Sequence, residues 1–204
     1  MRAGAGVRSL VILAKEPRPG RVKTRLARDI GTIAAAGWYR NQLARLARRL
    51  SPDPRWRTVI AVSPDTSLAS RAWPRGLDLI PQGDGDLGIR MIRALTAQPP
   101  GPAVLIGADI PGVSREHIAR AFSLLGQFET VLGPSDDGGY WLIGLRRSTA
   151  ALSGRVLSGI RWSSPHALSD TTARLAPHSV GFADRLSDVD TGEDLARLSR
   201  VHSA

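Results

Sequence analysis

Short runs of consecutive apolar residues, each followed by a longer amphipathic stretch, constrain this chain more than any other feature. Leu10-Val11-Ile12-Leu13 and Val104-Leu105-Ile106 carry no polar residue on either alternating face. A strand of that kind has no side for water and must be covered twice, as in a parallel sheet flanked by helices. The pattern predicts strands over Val7–Ala14, Thr58–Ser63, Leu77–Ile80, Ala103–Gly107, Thr130–Gly133, Tyr140–Leu145 and Ser179–Phe182. It predicts helices over Ile33–Leu50, Leu87–Ala97, Arg115–Leu125, Ser164–Arg174 and Gly192–Val201. Alternation of this sort reads as a three-layer α/β/α sandwich around a mixed, mainly parallel sheet. Ligands of such sheets sit beyond the carboxyl ends of the strands. The 204 residues, without repeat or linker, are expected to form one domain over residues 1–204.

Composition narrows the function. With no cysteine there is no disulfide framework, thiolate metal site or cysteine nucleophile. The apolar run Leu10–Ala14 is too short for a signal core or a membrane span and ends in Lys15-Glu16-Pro17, so a cytoplasmic protein is expected. The four histidines are scattered without zinc spacing, and no G-x-S-x-G elbow surrounds Ser163 and Ser164. A net charge of +10 favours anionic partners such as nucleotides and phosphorylated metabolites. A nucleic-acid-binding protein is the alternative from another class. It is disfavoured because the arginines are spread along the chain, those at 45, 48 and 49 reading as a solvated helix face, and no aromatic platform is interleaved with them.

Of the 28 basic residues only Lys15 and Lys23 are lysines, and both lie in Ala14–Leu26, AKEPRPGRVKTRL, directly after the first apolar run. A chain that otherwise uses arginine keeps a compact, rotatable ammonium there. The loop reads as a holder of polyphosphate oxygens, with Lys23 and Arg25 the best contacts, Lys15 beside them and Gly20 allowing close backbone approach. Val22 stands where a Walker A loop needs glycine, so this is not a P-loop.

Asp109 ends the apolar strand VLIGADIP, where a carboxylate reaches the ligand crevice and suits a hard ion such as magnesium. Asp188-Val189-Asp190 could present two carboxylates on one face of an extended segment. Asp190 or Thr191 could instead cap the last helix, with Glu193 completing a capping box. Ser135-Asp136-Asp137-Gly138-Gly139-Tyr140-Trp141 joins two apolar strands and, with Trp162 opposite, could line an acceptor pocket, Asp137 serving as base or metal-side group. Gly83-Asp84-Gly85-Asp86-Leu87-Gly88 matches G-x-G-x-x-G, but Asp84 and Asp86 would repel a pyrophosphate. Contact with a base or sugar, with Gly88 and Arg90 opening the helix, fits it better.

Taken in order, AKEPRPGRVKTRL, QGDGDLGIRM, VLIGADIP, GPSDDGGYWLIGL, IRWSSPHAL and DVDTGEDL resemble the DUF2064 family. That family is similar to the glycosyltransferase-A superfamily and to the 2-phospholactate guanylyltransferases. The resemblance runs from Val7 to Leu198. It implies a Rossmann-like nucleotide-diphospho-sugar transferase fold and a divalent metal, Mg2+ or Mn2+, bridging nucleotide phosphates to Asp109 and Asp190; the alternate spacing of Asp188 and Asp190 makes Asp188 the further expected metal ligand. It implies that Lys23 and Arg25 contact the phosphates. The expected nucleotide-binding set is Lys15, Gly20, Lys23, Arg25, Gly88 and Arg90. The expected acceptor-binding set is Ser135, Asp136, Gly138, Gly139, Tyr140 and Trp162, and the expected catalytic set is Lys23, Asp109 and Asp137. The function so implied is metal-dependent transfer from a nucleotide-activated donor to a small acceptor. Glycosyl transfer is favoured because an acidic, aromatic segment suits a hydroxylated acceptor, and nucleotidyl transfer to a phosphorylated acid is the alternative.

Overall fold

The computed structural model describes residues 6–146, 156–176 and 178–201. Its centre is a seven-stranded sheet of β1 (Ser9–Lys15), β2 (Arg57–Ser63), β3 (Asp78–Pro81), β4 (Ala103–Gly107), β5 (Thr130–Pro134), β6 (Tyr140–Leu145) and β7 (Val180–Phe182), in the order β3-β2-β1-β4-β6-β5-β7. Every neighbouring pair is parallel except those made by β6, which runs antiparallel to β4 and β5. The helices are α1 (Leu26–Ile30), α2 (Thr32–Leu50), α3 (Leu87–Thr96), α4 (Arg115–Leu124), α5 (Ala167–Leu175) and α6 (Gly192–Val201).

The apolar strands are buried on both faces, as their sequences require. Leu10, Ile12, Val104 and Ile106 pack with Leu43, Leu46 and Leu50 of α2 and with Ile118 and Phe122 of α4. Their alternates, Val11 and Leu105, face the other way, onto Met91, Ile92 and Leu95 of α3 and onto Ala167 and Leu175 of α5. Alternation of side chains along each strand thus feeds two helix layers from one sheet. Each of the fully buried Leu and Ile side chains contributes about 1.5–3 kcal/mol of transfer free energy.

Most elements begin or end one to three residues from the sequence expectation. Strand β1 begins at Ser9 and β7 at Val180. Helix α5 begins at Ala167 rather than Ser164, because the Ser164 hydroxyl donates to the Arg161 carbonyl and closes a turn instead of capping a helix. The five-residue α1, ended by Gly31 at φ 86°, was too short to leave a periodic signature. The cap of α6 is a reciprocal Thr191–Asp194 pair: Thr191 N–H donates to Asp194 Oδ2 and Asp194 N–H to Thr191 Oγ1. Asp194, not Glu193, completes the box.

Because β6 is antiparallel, the β5–β6 connection is a tight turn at the same sheet edge as the carboxyl ends of β1, β2 and β4. The loop after β1, the end of β4 and this turn therefore meet. No helix among the described residues is long and apolar enough to cross a membrane.

Candidate functional site

These segments border a cleft of about 900 Å³. In the loop after β1, Gly20 turns at φ 73° and Lys23 itself adopts φ 47°, a conformation few non-glycine residues take. The Lys23 side chain is only 5% exposed, and its ammonium lies 2.6 Å from Asp109 Oδ2, 2.6 Å from Asp190 Oδ1 and 3.5 Å from Asp188 Oδ2. Arg25 adds an ion pair to Asp190 Oδ2 at 3.1 Å. One carboxylate oxygen from each of the three acids falls within 4.8 Å of the others.

Both acids of the Asp-Val-Asp segment meet Lys23, while Val189 between them is buried with Leu26 and Ala35. Since Thr191 and Asp194 cap α6, the Asp190 carboxylate is left to face Lys23. Burial disfavours the Lys23 ammonium, but the Asp109 and Asp190 carboxylates outweigh it and its pKa is raised. Burial pushes Asp188 up to about 6; the negative charges of Asp109, Asp190 and Asp137 add to that, against the pull of Lys23. Burial acts the same way on Asp190, yet hydrogen bonding and charge from Lys23, with Arg25, hold it below the usual carboxylate value.

The opposite wall is made by the β5–β6 turn and the segment before α5. Asp137 Oδ1 accepts from Ser135 Oγ (2.5 Å) and from Gly139 N–H (2.9 Å). Gly138, at φ 80°, lets Pro165 pack against its backbone, and Leu168 N–H donates to its carbonyl. Arg161 donates three times to the Asp170 carboxylate, from its backbone N–H, Nε and Nη2. Trp162 covers Gly88 at the start of α3, and its ring meets that of Tyr140 edge-on at 6.3 Å.

Of the expected nucleotide contacts, Lys15, Lys23, Arg25 and Arg90 line the cleft. The Lys23 ammonium is turned among the carboxylates rather than outward. Gly20 sits in the exposed turn and Gly88 lies beneath Trp162, so neither forms the wall itself. Of the expected acceptor contacts, Ser135, Gly139, Tyr140 and Trp162 line the cleft together with Asp137. Asp136 does not: it accepts from the Ser187 hydroxyl and lies 3.9 Å from Arg185, on the outer side of the turn. Gly138 backs the wall through Pro165. The Gly-rich loop at residues 83–88 is closed by its own side chains. Asp86 caps α3 by accepting from Ile89 N–H, and the Arg93 guanidinium donates to the Gln82 and Asp84 carbonyls across Gly83.

Sequence reasoning missed Tyr39 and Gln82. The Tyr39 hydroxyl accepts from Lys15 N–H, and burial, then the Asp109 charge, raises its pKa. A tyrosine in mid-helix gives no sign of this. Gln82 is buried, and its amide donates to the Ala14 and Ala61 carbonyls, tying the ends of β1 and β2. Its place, just past a strand's carboxyl end, was the available signal.

A mixed sheet in this order, with its one antiparallel strand and its carboxylates gathered at the strand ends, is the nucleotide-diphospho-sugar transferase fold. A protein from Desulfovibrio desulfuricans G20, provisionally named a nucleotide-diphospho-sugar transferase, superposes with a TM-score of 0.84 at 30% identity over 95% of this chain and 87% of that one. The chain belongs to the DUF2064 family: the family model described as "Uncharacterized protein conserved in bacteria (DUF2064)" matches residues 46–164. More distant structures share the fold alone. The 4-diphosphocytidyl-2C-methyl-D-erythritol synthase of Anaerococcus prevotii DSM 20548 has a TM-score of 0.61 at 11% identity, over 97% of this chain and 99% of that one. Glucosyl-3-phosphoglycerate synthase of Mycobacterium tuberculosis has 0.54 at 13%, over 96% and 76%. No curated protein sequence matches the chain.

Proposed function

We propose that the protein is a metal-dependent transferase that moves a glycosyl group from a nucleotide-activated donor to a small hydroxylated acceptor. The observation that carries this reading is the division of charge across the cleft. Among the described lining residues the cations are Lys15, Arg21, Lys23, Arg25 and Arg90, all on the side of the β1 loop and α3. The wall at 135–141 and 162–167 contributes Asp137 and no cation. One half suits phosphates, and the other suits a partner without them.

The acids fit the metal that the fold family implies. Three hard carboxylate oxygens already converge on one cation, the Lys23 ammonium. Asp109, Asp188 and Asp190 would hold Mg2+ or Mn2+, which would supply neutralisation of charge on the donor phosphates. Arg25 and Arg90, joined by Lys23 once its ammonium is released from the acids, would bind and orient those phosphates, stabilising the negative charge that grows on them as the nucleotide leaves. With its Oδ1 fixed by Ser135 and Gly139, Asp137 would turn Oδ2 to the acceptor hydroxyl and take its proton. The hydroxyl oxygen forms the new bond to the anomeric carbon, the bond from that carbon to the phosphate oxygen breaks, and a nucleoside diphosphate departs. The mycobacterial synthase of this fold was solved with Mn2+ and UDP, which agrees with such a donor.

The test is thermal shift with NTPs and NDP-sugars, with and without Mg2+ or Mn2+, followed by turnover. Metal-dependent stabilisation by an NDP-sugar, lost in Asp109→Ala, and release of a nucleoside diphosphate are expected. Pyrophosphate release from an NTP with a phospho-acid, and no response to NDP-sugars, would replace glycosyl by nucleotidyl transfer.

A further inference from the structure

The wall opposite the acids has a chemistry of its own. Two aromatic side chains line it, and each turns its polar end away. The Tyr140 hydroxyl accepts from Thr171 Oγ1 at 3.4 Å and is buried enough that its pKa is raised. The Trp162 indole N–H is buried and has no hydrogen-bond partner among the described residues. What the cleft meets from both rings is therefore carbon. Beside them Asp137 Oδ2 accepts no hydrogen bond among the described residues, although Oδ1 accepts two. Arg161, the cation nearest in sequence, is bound to Asp170 and does not line the cleft.

From this we infer that the acceptor is an uncharged ring polyol, of the sugar or cyclitol class. Its axial C–H face would lie on Tyr140 and Trp162, and its hydroxyl edge would reach Asp137. A saturated ring bearing hydroxyls has such an apolar face and a polar rim, and an aromatic wall with one carboxylate complements both. A phosphorylated acceptor would bring anionic charge to a wall with an acid and no cation.

The inference extends to Arg161 and Asp170 as positioning residues. Neither lines the cleft, yet their three hydrogen bonds hold the chain on either side of Trp162, whose ring is pressed onto Gly88. A side chain at Gly88 would meet Trp162 and Leu157 at 2.8 Å, so ring and helix start are fitted to each other. This clamp fixes the angle at which the indole faces the acceptor.

The inference rests on the transferase reading, and the experiment separates the two. Saturation-transfer NMR is run on the full chain with UDP or GDP and with diamagnetic Mg2+ in place of Mn2+, using myo-inositol and methyl glucoside as probes, glucose 6-phosphate as the charged counterpart and choline as a cationic one. Nucleotide binding with Mn2+ is followed in parallel by thermal shift. The expected result is transfer to ring C–H protons of the neutral probes, weakened about tenfold in Trp162→Ala and also weakened in Asp137→Asn, which keeps the aromatic wall. Arg161→Gln and Asp170→Asn should weaken polyol binding severalfold while leaving nucleotide affinity unchanged, a split that mere loss of stability would not produce. Preference for glucose 6-phosphate or choline, binding indifferent to both Trp162 and Asp137, or no binding of any polyol while nucleotides bind, would overturn the inference alone. Failure of every nucleotide to bind would overturn the transferase reading as well.

Discussion

Replacing Lys23 with methionine removes the ammonium from among Asp109, Asp188 and Asp190 while keeping the side chain's length. Taking away one partner of a buried ion pair costs about 3–5 kcal/mol, because the remaining charge is left uncompensated. The Lys23 side chain is 5% exposed but the three carboxylates are 28%, 29% and 34% exposed. Water therefore solvates part of the orphaned charge, and the lower end, about 3 kcal/mol, is expected. For a chain of this size each kcal/mol shifts Tm by about 2–4 °C, so Lys23→Met should melt about 6–12 °C below the wild type in EDTA at pH 7. Two further readings separate an electrostatic cause from a packing one. Mn2+ at a hundred times its Kd should return about 2.7 kcal/mol, since a divalent ion takes over the ammonium's place. Mn2+ should also bind the variant more tightly than the wild type when no nucleotide is present, because ion and ammonium draw on the same oxygens. Lowering the pH should narrow the deficit. In the wild type Lys23 holds Asp190 below its usual value and pulls against the rise of Asp188, so that stabilisation is lost as pH falls through the depressed Asp190 value, whereas in the variant both acids take up protons at higher pH and the uncompensated charge is relieved. Equal melting of the two proteins in EDTA, or a deficit that neither Mn2+ nor pH 5 reduces, would refute the reasoning.

Three other outcomes follow from the geometry. Gly138→Ala should lose about 2–3 kcal/mol in chemical denaturation, since alanine at φ 80° is strained and its Cβ would stand 2.3 Å from the Pro165 carbonyl oxygen. Gln82→Met should lose about 1–3 kcal/mol by the same assay, because two buried carbonyls, of Ala14 and Ala61, lose their donor. Hydrogen bonds from Arg161 hold Asp170 down at about 2. A depressed carboxylate contributes stability that is present above its ordinary pKa and lost as pH falls through the depressed one, so Tm should drop between about pH 4 and pH 2. Asp170→Asn should show a shallower drop in a pH series of melting curves.

The sheet was legible because residues such as Val104, Leu105 and Ile106 are apolar on both faces and leave no other arrangement. Strand β4, strand β6 and helix α6 have the limits the pattern gives. Helix α1 was not legible, since five residues span little more than one turn. The three acids could be nominated from strand ends and from Asp-Val-Asp spacing. Their convergence on Lys23 could not, because it joins residues more than 160 positions apart. Nor could sequence tell that Asp136 faces outward while Asp137 faces inward. Adjacent acids in a turn look alike until Ser135 and Gly139 claim one and Ser187 the other.

The gathering of Asp109, Asp188 and Asp190 within a chain of net charge +10 has a consequence for the order of events at the cleft. At long range the molecule is a cation, so it draws nucleotides inward and repels a bare divalent ion. Only within roughly a Debye length, about 8 Å at physiological ionic strength, do the acids dominate what an approaching ion feels. On the proposed reading of the cleft, encounter with nucleotide alone, or with an ion already chelated by it, is faster than encounter with the free ion. Raising the salt concentration should slow nucleotide capture and narrow the gap between the two routes.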